Sequence, residues 1–231
     1  MFLETAACLL LLAHPSTARA PARGGQDDAI QKTLFPGQVM RLSFDLVDLE
    51  GKTRTLLPLV RKDAPADAPK PPTSVVVFFS LYDPSCAVAV ERLTEIQEAY
   101  RARNVEVVLV DSNDDEIVSG AGDPLEKFRK WRDEKKIALT VLIDRGNVAA
   151  DRFGALCANQ AFLIGADREV KYVGAIDDDP HEKKRAAGSE VRSYLRNALD
   201  AVLSGDLPEE ASTRPLAGRP IKRASTTGVP K

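Results

Sequence analysis

Residues 74–80, Ser-Val-Val-Val-Phe-Phe-Ser, form an unbroken run of β-branched and aromatic residues. A run of that kind fits a strand buried on both faces, so the chain needs cover on either side of a sheet. Directly after it, Val90, Leu93, Ile96 and Tyr100 recur at three-to-four spacing with charges between them, the pattern of a helix with one buried face. The alternation then continues. A second buried strand is expected at 104–112 and a helix at 123–136, with Leu125, Phe128 and Trp131 on one side. A third strand follows at 138–144 and a short helix at 147–155. Residues 160–176 read as a hairpin turning at Ala166-Asp167-Arg168, and 187–204 as a last long helix carrying Val191, Leu195, Ala198, Leu199 and Val202. Upstream, Leu42, Phe44 and Leu46 alternate with polar residues before Glu50-Gly51 and a second run at 53–57, a β-hairpin. Strands alternating with helices, then a hairpin and a closing helix, predict a three-layer α/β sandwich around a central mixed sheet.

Outside this pattern the chain changes character. Residues 1–20 read as a signal peptide: an apolar run over 6–13 is followed by Ala18-Arg19-Ala20, a small-residue cleavage pattern. The leading segment carries Glu4 and no basic residue, which departs from the usual charge of such leaders. Export to a periplasmic or extracellular space is the expectation. Residues 21–37 are read as a flexible segment, 61–74 as a proline-rich surface loop, and 205–231 as a flexible C-terminal tail. The folded domain is bounded at 38–204, and no membrane span is expected in the mature chain.

A formal charge of −2 without a basic stripe gives no case for nucleic acid. With His14 and His181 as the only histidines, metal sites and histidine-dependent triads lack material, so no metal and no cofactor is expected. The acidic stretches 111–116 and 177–182 lack the spacing of a calcium loop and read as solvated loop ends. What remains is sulfur. Cys8 lies in the leader, leaving Cys86 and Cys157 in a compartment where disulfides can persist.

The order of elements and the residues at its junctions resemble the thioredoxin fold. They are similar, more narrowly, to exported redoxin-type domains of the peroxiredoxin and thiol–disulfide oxidoreductase superfamily. The matching stretches are FDLVDLEGKTRTL, VVVFFSLYDPSCAVAVERL, VVLVDSND, LIDRGNVAADRFGA and AFLIGADREVKYVGAIDD. The resemblance implies a Cys-x-x-Cys at the strand-to-helix turn, often Cys-Pro-x-Cys. Here that tetrad is Asp83-Pro84-Ser85-Cys86, with the first, attacking cysteine replaced by Asp83. It also implies a cis-proline before the closing hairpin, where this chain has Ala158-Asn159. A peroxidase pattern would need proline at Phe79 and threonine at Asp83. Some relatives end in Gly-Cys-x-Ile, where this chain has Gly218-Arg219-Pro220-Ile221.

Asp83-Pro84 has a plain structural reading. Asp is among the best N-cap residues and Pro suits the first helical position, a pairing worth about 1 kcal/mol. The chain repeats the pair at Asp123-Pro124, where no redox chemistry is expected. Two readings therefore stand. In one, Asp83, Pro84, Ser85 and Asn159 mark a degenerate active site, and the chain serves as a binding or structural module for an unknown protein partner. In the other, Cys86 and Cys157 form an unorthodox redox pair, implied by the closeness of their loops in this fold, and act on a thiol or disulfide substrate.

Overall fold

The structure is a computed structural model and describes residues 33–59, 65, 69–117 and 123–224. Half of the loop expected over 61–74 and all of the signal peptide expected at 1–20 lie outside them.

The described residues build a seven-stranded mixed sheet from β1 (Phe44–Asp48), β2 (Thr53–Leu56), β3 (Thr73–Phe79), β4 (Val105–Asp111), β5 (Thr140–Ile143), β6 (Ala161–Ile164) and β7 (Val170–Gly174). Its order is β2-β1-β5-β4-β3-β6-β7. The three central strands β5, β4 and β3 are parallel, and a pair of strands flanks them antiparallel on each side. The helices are α1 (Pro84–Tyr100), α2 (Asp114–Ile117), α3 (Glu126–Lys135), α4 (Val148–Phe153), α5 (Lys183–Ala186) and α6 (Tyr194–Ser204).

Side-chain alternation along β3 divides the interior into two layers. Val75, Val77 and Phe79 face one core, shared with Leu93 and Ile96 of α1, Phe128 of α3 and Leu195 of α6. Val76 and Phe78 face the other, with Phe44, Phe153 of α4 and Phe162. In that second layer Phe153 packs edge-on against Phe78 and Phe162, with ring centroids 5.6 and 5.0 Å apart. Both faces of β3 are fully buried, as its unbroken apolar run requires.

Four boundaries differ from expectation, each for a local reason. Thr73 already pairs with Val105, so β3 begins inside the stretch read as a loop. The N-terminal segment joins the domain by Leu34, which is buried and donates its N–H to the Phe153 carbonyl at 2.9 Å, and by Gly37, bonded to Val170. The last helix starts at Tyr194 rather than 187. Residues 183–186 form the separate α5, Gly188 turns the chain at φ 66°, and bonds between Asp178 and Arg192 hold the approach to α6 extended.

The fourth concerns the tail. Residues 205–224 do not project from the domain but run back across it as a strap. Ala211 and Thr213 pair with Val173 at the free edge of β7, and Cys157 bridges Pro220. A strap held through main-chain groups needs no apolar periodicity, so its sequence gives no sign of order. Among the described residues no helix is long and apolar enough to cross a membrane.

Candidate functional site

The parallel strands β3 and β4 end side by side, and the turn from β3 into α1 carries the tetrad. Asp83 is the N-cap of α1 in extended backbone, and Pro84 occupies the first helical turn. One Asp83 oxygen accepts from the Ser85 N–H at 2.9 Å and from the Ser85 hydroxyl at 2.6 Å. The other accepts from the Arg219 N–H of the strap. A carboxylate therefore fills the position where the positive end of the helix would favour a thiolate.

Cys86 follows one turn in, 2% exposed. Its sulfur accepts from the Ser80 N–H at 3.4 Å. Burial pushes its thiol up to about 12; the nearby carboxylates of Asp83, Asp111 and Glu116 add to that, and the Ser80 N–H offsets part. Cys157 is half-buried, with its thiol also raised by burial and then by Asp83. Both cysteines are free thiols, not joined to one another. The strand-entry position Asn159 takes a left-handed backbone (φ 61°), donates its N–H to the Phe78 carbonyl at 2.7 Å and gives its side-chain amide to Ser85 Oγ at 2.8 Å. So Asp83, Ser85 and Asn159, singled out separately in the sequence, form one connected network.

Beneath the turn lies a charge cluster that the sequence conceals. Glu116 is fully buried; it accepts from Ser80 Oγ, from the Leu81 N–H at 2.7 Å and from Arg219 at 3.1 Å. Asp111, at the end of β4, is fully buried as well, and burial followed by the charge of Glu116 raises its carboxyl well above the usual range. The stretch 111–116 is thus not a solvated loop end but the floor of the site. The same correction holds for 177–182, where Asp177 and Asp179 are buried against Arg92 of α1. An acidic run gives no sign of which members turn inward. The sequence does place Arg92 on the helix face of Ala89 and Ile96, but its spacing alone does not name the carboxylates it meets.

A narrow cleft with about 20 Å³ of free volume, room for about one water, opens beside the first turns of α1, lined by Ser85, Arg92, Asn159 and Ile176 and by Leu216 and Ala217 of the strap. Arg92 donates to both oxygens of Asp177 at 2.8 and 2.7 Å. Its Nε and Nη2, and Oδ1 of Asn159, are buried without a hydrogen-bond partner.

Comparison with known proteins follows the same lines. A hypothetical protein from Sinorhizobium meliloti superposes with a TM-score of 0.64 at 26% identity, over 84% of this chain and 97% of its own. An uncharacterized conserved protein from Geobacillus kaustophilus gives 0.65 at 23%, over 83% and 94%. Peroxidoxin BcpB from Mycobacterium tuberculosis gives 0.47 at 16%, over 74% and 95%. No curated protein matches the sequence. Residues 44–173 match the AhpC/TSA family, a span that contains β1 to β6, all of β7 but its last residue, and the tetrad. The chain is thus a thioredoxin-fold redoxin and belongs to the AhpC/TSA family.

Proposed function

We propose that this chain is an exported redoxin-domain protein that has lost the thiol reaction of its family and serves as a binding or structural module. The observation that carries the reading is the state of the turn. A reactive cysteine needs a thiolate near neutral pH at an accessible helix start. Here the helix start is held by the Asp83 carboxylate, and Cys86 is buried with its thiol pushed up to about 12. A sulfur held this way, 2% exposed and with its thiol raised by burial, offers no accessible thiolate at neutral pH. Asn159 in place of the cis-proline removes a second part of the family's machinery, and its amide is engaged with Ser85. Export rests on the leader-like residues 1–20.

The expected result is that pure protein neither reduces insulin with dithiothreitol nor consumes peroxide faster than its Cys86→Ser variant. Turnover that depends on Cys86 would overturn the proposal and favour the pair with Cys157. Peptide mapping after alkylation, with and without reductant, separates these cases. Two slowly modified thiols fit a silent module, a reversible Cys86–Cys157 link fits an enzyme, and the first mapped residue reports whether cleavage follows Ala20.

A further inference from the structure

We infer that the C-terminal strap is a latched lid, which closes the cleft beside α1 and opens without unfolding the domain. It has three parts. The hinge is at β7. Val173 donates to the Ala211 carbonyl at 3.1 Å and accepts from the Thr213 N–H at 3.0 Å, and Thr213 Oγ1 accepts from the Ala175 N–H at 2.9 Å. Gly174 lies so close to Thr213 that a Cβ there would overlap its backbone. The span is residues 214–217, and among the hydrogen bonds of the described residues none ties it down, although Leu216 and Ala217 roof the cleft. The latch is residues 218–224, at the tetrad and the loops beside it, where Lys222 bonds with Asn113 and Asp114, Arg223 with Ala155 and Ala224 with Asn147.

The latch is built differently from the hinge. Its main chain pairs with the loop before β6: Ala158 donates to the Arg219 carbonyl at 2.9 Å, and Ile221 donates to Leu156 at 3.1 Å. Gly218 (φ 118°) sits so tightly on the Ala158 carbonyl that no side chain fits there. Arg219 supplies the charge. Its N–H meets Asp83, and its guanidinium meets Asp115 at 2.6 Å and Glu116 at 3.1 Å and lies over the Tyr82 ring. One residue of the strap thus engages three carboxylates of the site. Arg219 is a positioning residue for the lid.

The unpartnered atoms under the span give the lid something to cover. Arg92 Nε and Asn159 Oδ1 are buried polar atoms without a hydrogen-bond partner while the lid is shut, and Arg92 Nη2 has only the longer approaches of Asp179 at 3.8 Å and Glu182 at 4.0 Å. Opening would return them to water or to an incoming hydrogen-bonding group. The hinge, by contrast, adds to a sheet edge and gains nothing by opening. The latch is bonded to the loops around the tetrad and not to a strand of the sheet, so its release is a local opening of lower free energy than the global one. Whatever enters the cleft beneath the span must then displace residues 214–224.

Hydrogen exchange on the full chain tests this. The amides of Ala158 and Ile221 report the latch, and those of Val76 and Leu163 report the sheet. In the wild type the latch amides are expected to exchange faster than the sheet amides. Arg219→Ala is expected to accelerate the latch amides by about tenfold or more, the effect of losing hydrogen bonds to charged groups, with the sheet unchanged. Gly218→Ala acts on the same latch by sterics and should reproduce the acceleration. Alkylation of Cys157, beneath Pro220, should quicken in step while Cys86 stays slow. The lid is overturned if latch and sheet amides exchange together in wild type and variants, since the strap would then be part of the core. It is equally overturned if neither variant changes latch exchange. Neither outcome bears on whether the thiols turn over.

Discussion

At the scale of single residues, the proposed function turns on Asp83, a carboxylate at the position where the resemblance to Cys-Pro-x-Cys proteins implies a thiol. Both anions answer the positive end of α1, but only the thiolate is a nucleophile. Asp83 satisfies the first-turn N–H and the Ser85 hydroxyl, so its place is structurally complete without chemistry. Asp111, one layer deeper, makes a testable contribution. Its carboxyl is raised well above the ordinary range by burial and by the adjacent Glu116. Below the ordinary carboxylate range both folded and unfolded chains hold this proton, and its contribution to stability is complete. As pH rises, the unfolded chain ionises while the folded one keeps the proton, so that contribution shrinks until the folded-state pKa is passed. Asn cannot titrate and offers an N–H where the protonated acid offers O–H. Asp111→Asn is therefore expected to melt increasingly above wild type as pH rises out of the ordinary carboxylate range. Parallel melting curves across that rise would show that Asp111 carries no such linkage.

At the scale of elements, the sequence was most legible where burial forces composition. The β3 run, the three-to-four pattern of α1 and the hairpin ending at Gly174 all follow from side chains that must face a core. The site was half legible for the same reason: Asp83-Pro84 reads as a cap from residue type alone, and caps act locally. Contacts between distant polar residues leave no such pattern. Nothing around Glu116 or Asp177 marks them as buried, because burial there is decided by partners at 219 and 92. The strap was missed because many of its bonds are main-chain bonds, open to almost any sequence apart from Gly218, and because Arg219 meets carboxylates more than a hundred residues away.

The Arg92–Asp177 pair tests how two elements are tied by such a contact. It joins α1 to the segment after β7, with both side chains about 5% exposed or less. Removing Arg92 alone leaves the buried carboxylates of Asp177 and Asp179 without their cation, which should cost about 3–5 kcal/mol for Arg92→Leu. The double variant with Asp177→Leu removes one of the two stranded charges and should be less destabilised than the sum of the two single variants. Additive single effects in chemical denaturation would mean that the pair is not coupled.

At the scale of the whole molecule, the cysteines decide whether the fold answers to redox conditions. The structure holds both as free thiols, Cys86 inside the first core layer and Cys157 at the edge of the latch. A bond between them would close a long loop spanning β4, β5 and the helices between, restricting the unfolded chain by about 4 kcal/mol on the chain-entropy account. For a chain of this size that corresponds to about 10 °C in Tm. The free-thiol structure predicts instead that melting is the same with and without reductant, and the same for Cys157→Ser. The two thiols also sit in different surroundings. Cys86 is a packing group of the core, so Cys86→Ser should lower Tm by placing a hydroxyl where the only neighbour offered is the Ser80 N–H. Cys157→Ser, half-exposed, should not. A reductant-sensitive Tm, abolished equally by either serine variant, would identify a disulfide and return the chain to its family's chemistry.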